Sequence, residues 1–282
     1  MKNKLKNMIN KINRLFEYPE IQRFQKIRAI TNGYLAAAIY KAIYQCACQA
    51  EEGYMIDIGP AQGGSSISLG LGIKKSGKQQ SKVISIEKGS GSDALADKKN
   101  VDKNLSILEE NIAKFSLSNY SIILMGDVAE VYKSVKEDLP LSLLFIDADG
   151  ALDRDFKLFY NRLRKNAPII IDDYANIINS LARENYLLWK THDELNSYVS
   201  HKGKEHLYEV CPLGKEYTTY RFINYFLDQG LLKLDRVMDQ TFFGHKSNDN
   251  VYFTEEHESG LLNIRLEIEK EYYEMNPNLT KL

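Results

Sequence analysis

The sequence has few of the features that mark secreted or membrane proteins. Its 282 residues include 3 cysteines, which form neither a CxxC pair nor an even-numbered disulfide framework. No apolar run reaches the roughly 18 residues that a membrane span needs. The N-terminus also lacks the apolar stretch and small-residue cleavage site of a signal peptide. We therefore expect a soluble, cytoplasmic protein with reduced thiols.

An excess of positive charge is missing as well. Lysine plus arginine number 37 and aspartate plus glutamate 38, for a formal net charge of -1 at pH 7. A protein that binds nucleic acid usually has a positive field that attracts the phosphate backbone. The sequence also contains no NPPY-like base-flipping motif. Nucleic acid is therefore not an expected partner.

Hydrophobic residues make up 44% of the chain, enough for the core of one α/β domain with additions. The first residues, MKNKLKNMINKINRLF, have the pattern of a basic amphipathic helix. A second helical segment at residues 21–50 contains the small-residue run GYLAAAIYKAIYQCACQA, which favours close helix packing. We expect residues 1–50 to form a helical extension that makes a homodimer. The alternatives are that the first helix packs on its own domain or contacts a membrane surface.

Five β-rich runs alternate with helical patterns from residue 54 onward. Each run is almost continuously apolar, as is typical of strands covered on both faces of a parallel sheet. The runs are Tyr54–Ile58, Lys82–Glu87, Tyr120–Met125, Leu141–Asp147 and Ala167–Asp173. Helical patterns at residues 101–115 and 152–166 lie between them. This alternation predicts right-handed crossovers in a doubly wound α/β sheet.

The pattern changes after the fifth run. Residues 174–219 show no clear strand and helix unit, so we expect an insertion that acts as a lid or specificity element. A predicted helix ended by Gly230 follows, and then LLKLDRVMD and TFFGHKS, which we expect to pair as an antiparallel hairpin. The expected fold is a Rossmann-like, mostly parallel seven-stranded sheet. Its main domain covers residues 51–255, and residues 256–282 form a C-terminal helix.

The stretch DIGPAQGGSS, residues 57–66, follows the first predicted strand and has the composition of a ligand loop. Its glycines allow sharp turns close to a ligand, and its serines offer hydroxyls and a helix N-terminus. In an open parallel sheet, ligands bind beyond the carboxyl ends of the strands. Gly59-x-Ala61-x-x-Gly64 is a degraded dinucleotide fingerprint. Alternatively, the loop binds a ligand whose ammonium group meets Asp57.

The order Asp57-x-Gly59-x-x-x-Gly63-x-Ser65 resembles the first motif of the class I S-adenosylmethionine-dependent methyltransferases. Glu87 ends the second run, where a carboxylate accepts ribose hydroxyls in both ligand classes. MGDVAE, at residues 125–130, resembles the methyltransferase GD motif, whose acid and next backbone amide hold the adenine. The resemblance implies that S-adenosylmethionine is bound by Asp57, Gly59, Pro60, Gly63, Ser65, Glu87, Asp127, Val128 and Asp147.

The fourth and fifth runs end in LLFIDADG and PIIIDDY, which resemble the DxD and DD motifs of caffeoyl-CoA and macrocin-type small-molecule O-methyltransferases. If these strands are neighbours, their terminal acids crowd one small region. Two like charges about 4 Å apart repel by about 4 kcal/mol at an effective dielectric of about 20. Mg²⁺ or another divalent cation held by Asp149, Asp172 and Asp173 would offset this repulsion and activate a hydroxyl group. The alternative is that one acid serves the cofactor ammonium, another caps a helix and no metal binds.

The sequence departs from the subgroup after DxD, where many relatives have a histidine and this chain has Gly150. Asp147 and Asp149 are the catalytic candidates. Asp149, or a histidine of the expected insertion (His192, His201 or His206), would then be the general base. The resemblance implies methyl transfer from S-adenosylmethionine to a hydroxyl group of a sugar or secondary metabolite. A non-catalytic S-adenosylmethionine-binding protein and an NAD(P)-dependent oxidoreductase are the alternatives.

Overall fold

The structure, a computed structural model, describes residues 20–88, 98–147, 151–174, 215–248 and 250–275. The predicted N-terminal helix, Asp149, the three histidines named above and most of the expected insertion lie outside these ranges. The chain divides into two compact units, of which the first ends at Gly126 and the second begins at Asp127. No helix in the described ranges is both long and apolar enough to cross a membrane.

The first unit combines parallel strands with helices. Its elements are helix α1 (residues 20–30), α2 (Ala37–Gln49), β1 (Tyr54–Ile58), α3 (Gly64–Ser76), β2 (Lys82–Glu87), α4 (Lys98–Lys114) and β3 (Ser121–Met125). β2 lies between β1 and β3, with Ile84 opposite Ile56 on one side and Ile122 on the other. The inner positions of β1 and β2 are buried, which explains their continuous apolar sequence.

Small residues bring α2 and α3 together within this unit. A Cβ atom at Gly72 would lie 2.5 Å from the Cβ atom of Ala47 and 2.7 Å from the carbonyl oxygen of Tyr44. Only glycine therefore permits this approach. The predicted segment 21–50 is two helices and not one, because Asn32 adopts a left-handed φ of 46° and the N–H of Gly33 closes α1 on the carbonyl of Arg28 at 2.9 Å.

The second unit continues the α/β pattern and ends in the hairpin. Its elements are α5 (Val128–Val131), β4 (Leu141–Ile146), α6 (Leu152–Phe159), β5 (Pro168–Ile171), α7 (Lys215–Asp228), β6 (Leu232–Met238), β7 (Thr241–Lys246) and α8 (Glu255–Met275). β4 and β5 are parallel, whereas β7 is antiparallel to both β5 and β6. Phe156 and Phe226 stack in the core, with ring centroids 4.1 Å apart.

The strand order β3-β2-β1-β4-β5-β7-β6 confirms the predicted seven-stranded, mostly parallel sheet with an antiparallel C-terminal hairpin. The neighbouring positions of β4 and β5, on which the repulsion argument depended, are also confirmed. The extent of α6 was predicted wrongly. It ends at Phe159 rather than residue 166, because a 3-10 turn at Tyr160–Arg162 follows and Leu163 bridges to Leu141 of β4.

Candidate functional site

The loop after β1 is shaped by backbone that turns through the left-handed region. Gly59, Ala61 and Gly63 have φ values of 79°, 49° and 98°, and the N–H of Gly63 donates to the carbonyl of Pro60 at 2.8 Å. A Cβ atom at Gly63 would also lie 2.8 Å from the Cδ1 atom of Leu108. The left-handed conformation therefore favours glycine here, and any larger residue would also have to displace the Leu108 side chain.

Asp57 lies fully buried at the base of this loop. The hydroxyl of Ser65 donates to both carboxylate oxygens at 3.0 Å, and the hydroxyl of Ser66 donates to Oδ2 at 2.5 Å. Ser66 also shares a hydrogen bond of 2.8 Å with the buried Ser85. Burial raises the pKa of Asp57 to about 7, although the two serine bonds lower it, and the nearby charge of Glu87 adds to the rise.

Glu87 supports the loop from the end of β2. Its Oε2 atom accepts the backbone N–H of Ala61 at 2.8 Å, and its side chain is largely buried. The acid predicted to hold the ribose therefore also fixes the left-handed turn at Ala61. Its contact with a ribose, like the cofactor contact of Asp57, stays a prediction.

Asp127, the acid of the GD motif, begins the second unit as the N-cap of α5. Its Oδ1 atom accepts the backbone N–H of Ala129 at 2.9 Å, and the next residue, Val128, is buried. Arg154 lies beside it, with Nη1 3.8 Å from Oδ2 of Asp127 and Nε 2.8 Å from the buried Asp155. The adenine contacts of Asp127 and Val128 stay predictions.

Three acids of the second unit form one cluster. Asp147 follows β4, and Asp172 and Asp173 follow β5; all are half-buried, and each offers an oxygen within 4.8 Å of the others. A cation bound at about 2.4 Å from each oxygen spans such separations, so the set fits a hard divalent cation. The sequence favoured Asp149 as the ligand from DxD, which stays a prediction. Among the described residues, Asp147 supplies that carboxylate.

A small, open depression adjoins this cluster in the second unit. Its wall contains Asp172, Asp173 and Thr219 together with the apolar side chains of Ile146, Ala151, Leu152 and Ile171. Asp173 adopts a left-handed φ of 57°, which turns the chain away from β5 at the depression. This depression therefore has apolar walls and carboxylates at one side.

Two residues near these acids were not predicted from the sequence. Thr241 of β7 donates its hydroxyl to Oδ1 of Asp172 at 2.6 Å, and Arg154 lies against Asp127. No local pattern marks Thr241, because it is 69 residues from its partner in the chain. The arginine could have been noticed as a cation inside the acidic sequence LDRDF.

Comparison with known proteins agrees with this architecture. Residues 56–174 match the family model described as a methyltransferase domain. Similar solved structures include a candidate caffeoyl-CoA O-methyltransferase from Staphylococcus aureus, with 14% identity, coverage of 86% of this chain and 99% of that chain, and a TM-score of 0.51. Another is the O-methyltransferase TomG from Streptomyces achromogenes, with 11% identity, coverage of 81% and 89%, and a TM-score of 0.50.

A third similar structure is a candidate O-methyltransferase from Klebsiella pneumoniae with 15% sequence identity. The alignment covers 81% of this chain and 90% of that chain, with a TM-score of 0.51. No curated protein matches the chain at a significant level. At these identities the structural likeness shows the fold, whereas the family model matches the sequence from β1 to the acids after β5. Residues 56–174 therefore match a methyltransferase domain in sequence, and the chain has a fold similar to that of these O-methyltransferase structures.

Proposed function

We propose that the chain transfers a methyl group from S-adenosylmethionine to a hydroxyl group of a small molecule, a sugar or a secondary metabolite, in the cytoplasm. The main support is that the methyltransferase domain includes both the glycine loop after β1 and the acid pair after β5. TomG, whose fold is similar, is described as an O-methyltransferase in complex with S-adenosylmethionine and involved in tomaymycin synthesis.

The first unit would hold the methionine and ribose parts of the cofactor. Gly59, Pro60, Gly63 and Ser65 lie in or directly after the loop, Asp57 is at its base, and Glu87 closes it from β2. Asp127 and Val128 are the residues proposed to contact the adenine. A carboxylate oxygen has two lone pairs, so an oxygen that accepts a backbone N–H can accept a ligand hydroxyl as well.

The cluster of Asp147, Asp172 and Asp173 is the proposed metal site, with Asp149 as the further candidate ligand. When bound, Mg²⁺ or another divalent cation would lower the pKa of an acceptor hydroxyl as a Lewis acid. With the cofactor bound, the acceptor oxygen would form a bond to the methyl carbon in line with the C–S bond. That bond would break with its electron pair going to sulfur, so that the thioether S-adenosylhomocysteine would be the leaving group. If Asp149 is not a metal ligand, it is the proposed acceptor of the hydroxyl proton, because Gly150 has no side chain that could accept it.

The test begins with mass spectrometry of the purified chain for retained S-adenosylmethionine or S-adenosylhomocysteine. Transfer of an isotope-labelled methyl group is then measured with a panel of phenols, catechols and sugars, with added magnesium and with a chelator. Asp172→Asn should reduce turnover more than cofactor affinity, because the metal acts on the acceptor and not on the sulfonium. Asp153→Asn, which removes a partly exposed acid paired with Arg265, is the matched control.

Each outcome separates one part of the proposal. Cofactor binding without turnover over the whole panel would favour the non-catalytic alternative. Full turnover in chelator, with no gain from magnesium, would refute the metal and leave Asp149 as a plain general base. A bound nicotinamide cofactor would refute methyl transfer altogether.

We further propose that the chain forms a homodimer through residues 1–50. The helices α1 and α2 of this extension pack within the first unit, and α2 uses its small residues to contact α3. The residues before Glu20 supply the apolar stripe on which the dimer proposal depends. Contact of that stripe with a membrane surface is the competing proposal.

A further inference from the structure

We propose that Thr241 is a positioning residue of the acidic cluster, and that its hydroxyl holds Asp172 in the orientation that binds a divalent cation with Asp147 and Asp173. This inference rests on the metal site of the proposed function. Thr241 is 1% exposed, and its Oγ1 atom donates to Oδ1 of Asp172 at 2.6 Å. That distance is typical of a strong hydrogen bond from a hydroxyl to a carboxylate.

The position of Asp172 explains why such support is needed. Its N–H still donates to the carbonyl of Ile146 at 2.9 Å, so its backbone follows the sheet one residue beyond β5. The next residue, Asp173, already has a left-handed φ of 57°. A carboxylate at the start of a sharp turn has several rotamers, and the Thr241 hydroxyl selects one of them.

The turn between β6 and β7 supports the acid pair on both sides. On one side Thr241, the first residue of β7, bonds Asp172. On the other side the carbonyl of Gln240 accepts the N–H of Tyr174 at 2.7 Å. The Tyr174 ring also meets the edge of Phe242, with centroids 5.7 Å apart. Two adjacent residues of one hairpin therefore fix the residues before and after Asp173.

This arrangement follows a general property of metal sites. Groups that hydrogen-bond to a ligand orient it, and their loss typically lowers metal affinity by about 10–100-fold. A purely structural role for Thr241 is the competing explanation, because a buried hydroxyl needs a partner in any protein. The two differ in what they predict for metal affinity in a variant that remains folded.

The experiment measures Mn²⁺ binding to the full chain by electron paramagnetic resonance, without acceptor. Thr241→Val has nearly the same shape but no donor, and should weaken Mn²⁺ binding by about tenfold. Thr241→Ser keeps the hydroxyl and should stay within about threefold of the parent. Thr31→Val is the matched control, because its buried hydroxyl donates to the carbonyl of Ile27 in the first unit. Circular dichroism checks that each variant is folded.

The results distinguish this inference from the proposed function. If the parent does not bind Mn²⁺, or Asp172→Asn binds it equally well, the metal site fails and the role of Thr241 fails with it. If binding depends on Asp172 but Thr241→Val matches the parent, only the role of Thr241 is overturned. Should Thr241→Val not fold, Thr241→Ala is compared with Thr241→Ser, and equal Mn²⁺ affinity of that pair overturns the inference.

Discussion

The buried carboxyl of Asp57 should make the stability of the chain fall as pH rises. Its pKa is raised from 3.8 to about 7, chiefly by burial, with Ser66 and Ser65 opposing the rise and Glu87 adding to it. An acid with a higher pKa in the folded state takes up a proton on folding. Between about pH 4 and pH 7 the folded state therefore keeps a proton that the unfolded state has lost, and stability declines through this window.

The size of the effect follows from the two pKa values. A difference of about 3 units at 1.36 kcal/mol per unit gives a loss of about 4 kcal/mol above pH 7, which is an upper value for one group. Asp57→Asn has a similar shape and no ionisation. Relative to the parent, it should therefore gain stability between pH 5 and pH 8, by about 2–3 kcal/mol, because about 2 pH units of the window lie above pH 5.

Urea unfolding followed by circular dichroism at pH 5 and pH 8 measures this gain. At each pH the free energy of unfolding of the parent is subtracted from that of the variant. The difference at pH 5 is then subtracted from the difference at pH 8, so that any effect of the amide that does not depend on pH cancels. Asp153→Asn is the control, because it removes a half-buried carboxylate that is paired with Arg265. If Asp57→Asn differs from the parent by the same amount at both pH values, burial does not raise the pKa of Asp57 as argued.

Three further predictions concern the cofactor, the loop and the assembly. Glu87→Ala should weaken S-adenosylmethionine binding in calorimetry by about 1–3 kcal/mol, and unchanged affinity would show that Glu87 does not bind the ribose. Gly63→Ala should lower thermal stability by at least about 1–2 kcal/mol, because its φ is 98° and Leu108 occupies the space; equal melting temperatures would contradict this. Deleting residues 1–18 should shift the mass in light scattering towards the monomer, whereas an unchanged mass would favour membrane contact or intramolecular packing.

Much of the fold was predictable because strands that are buried on both faces of the sheet have continuous apolar sequences. β1 and β2 have the predicted ends, since each apolar run stops where the chain leaves the sheet. The break after α1 was missed, although Asn32-Gly33 is a recognised turn pair. The length of α6 was missed for another reason. Its end is determined by the pairing of Leu163 with a distant strand and not by its own helical pattern.

The positions of the site acids were predictable, but their partners were not. Asp57 was expected to meet a cofactor ammonium, and the structure places the hydroxyls of Ser65 and Ser66 on it. A serine hydroxyl beside a glycine loop can donate to a ligand or to a buried carboxylate. Which of the two it contacts depends on how deeply that carboxylate is buried in the folded protein. Thr241 depends in the same way on the hairpin that places it beside Asp172. Both contacts result from tertiary packing, which the hydrophobic periodicity of the sequence does not predict.

Besides Asp57, three of the predicted site acids accept a structural hydrogen bond before any ligand arrives. Glu87 accepts the N–H of Ala61, Asp127 accepts that of Ala129, and Asp172 accepts the hydroxyl of Thr241. Each bond fixes the direction of a carboxylate in advance, and a fixed group loses less conformational entropy when a ligand binds. An alanine at any of these positions removes both the structural hydrogen bond and the proposed ligand contact. Asparagine or glutamine keeps an acceptor oxygen for the structural donor, so the amide variants report the loss of charge alone.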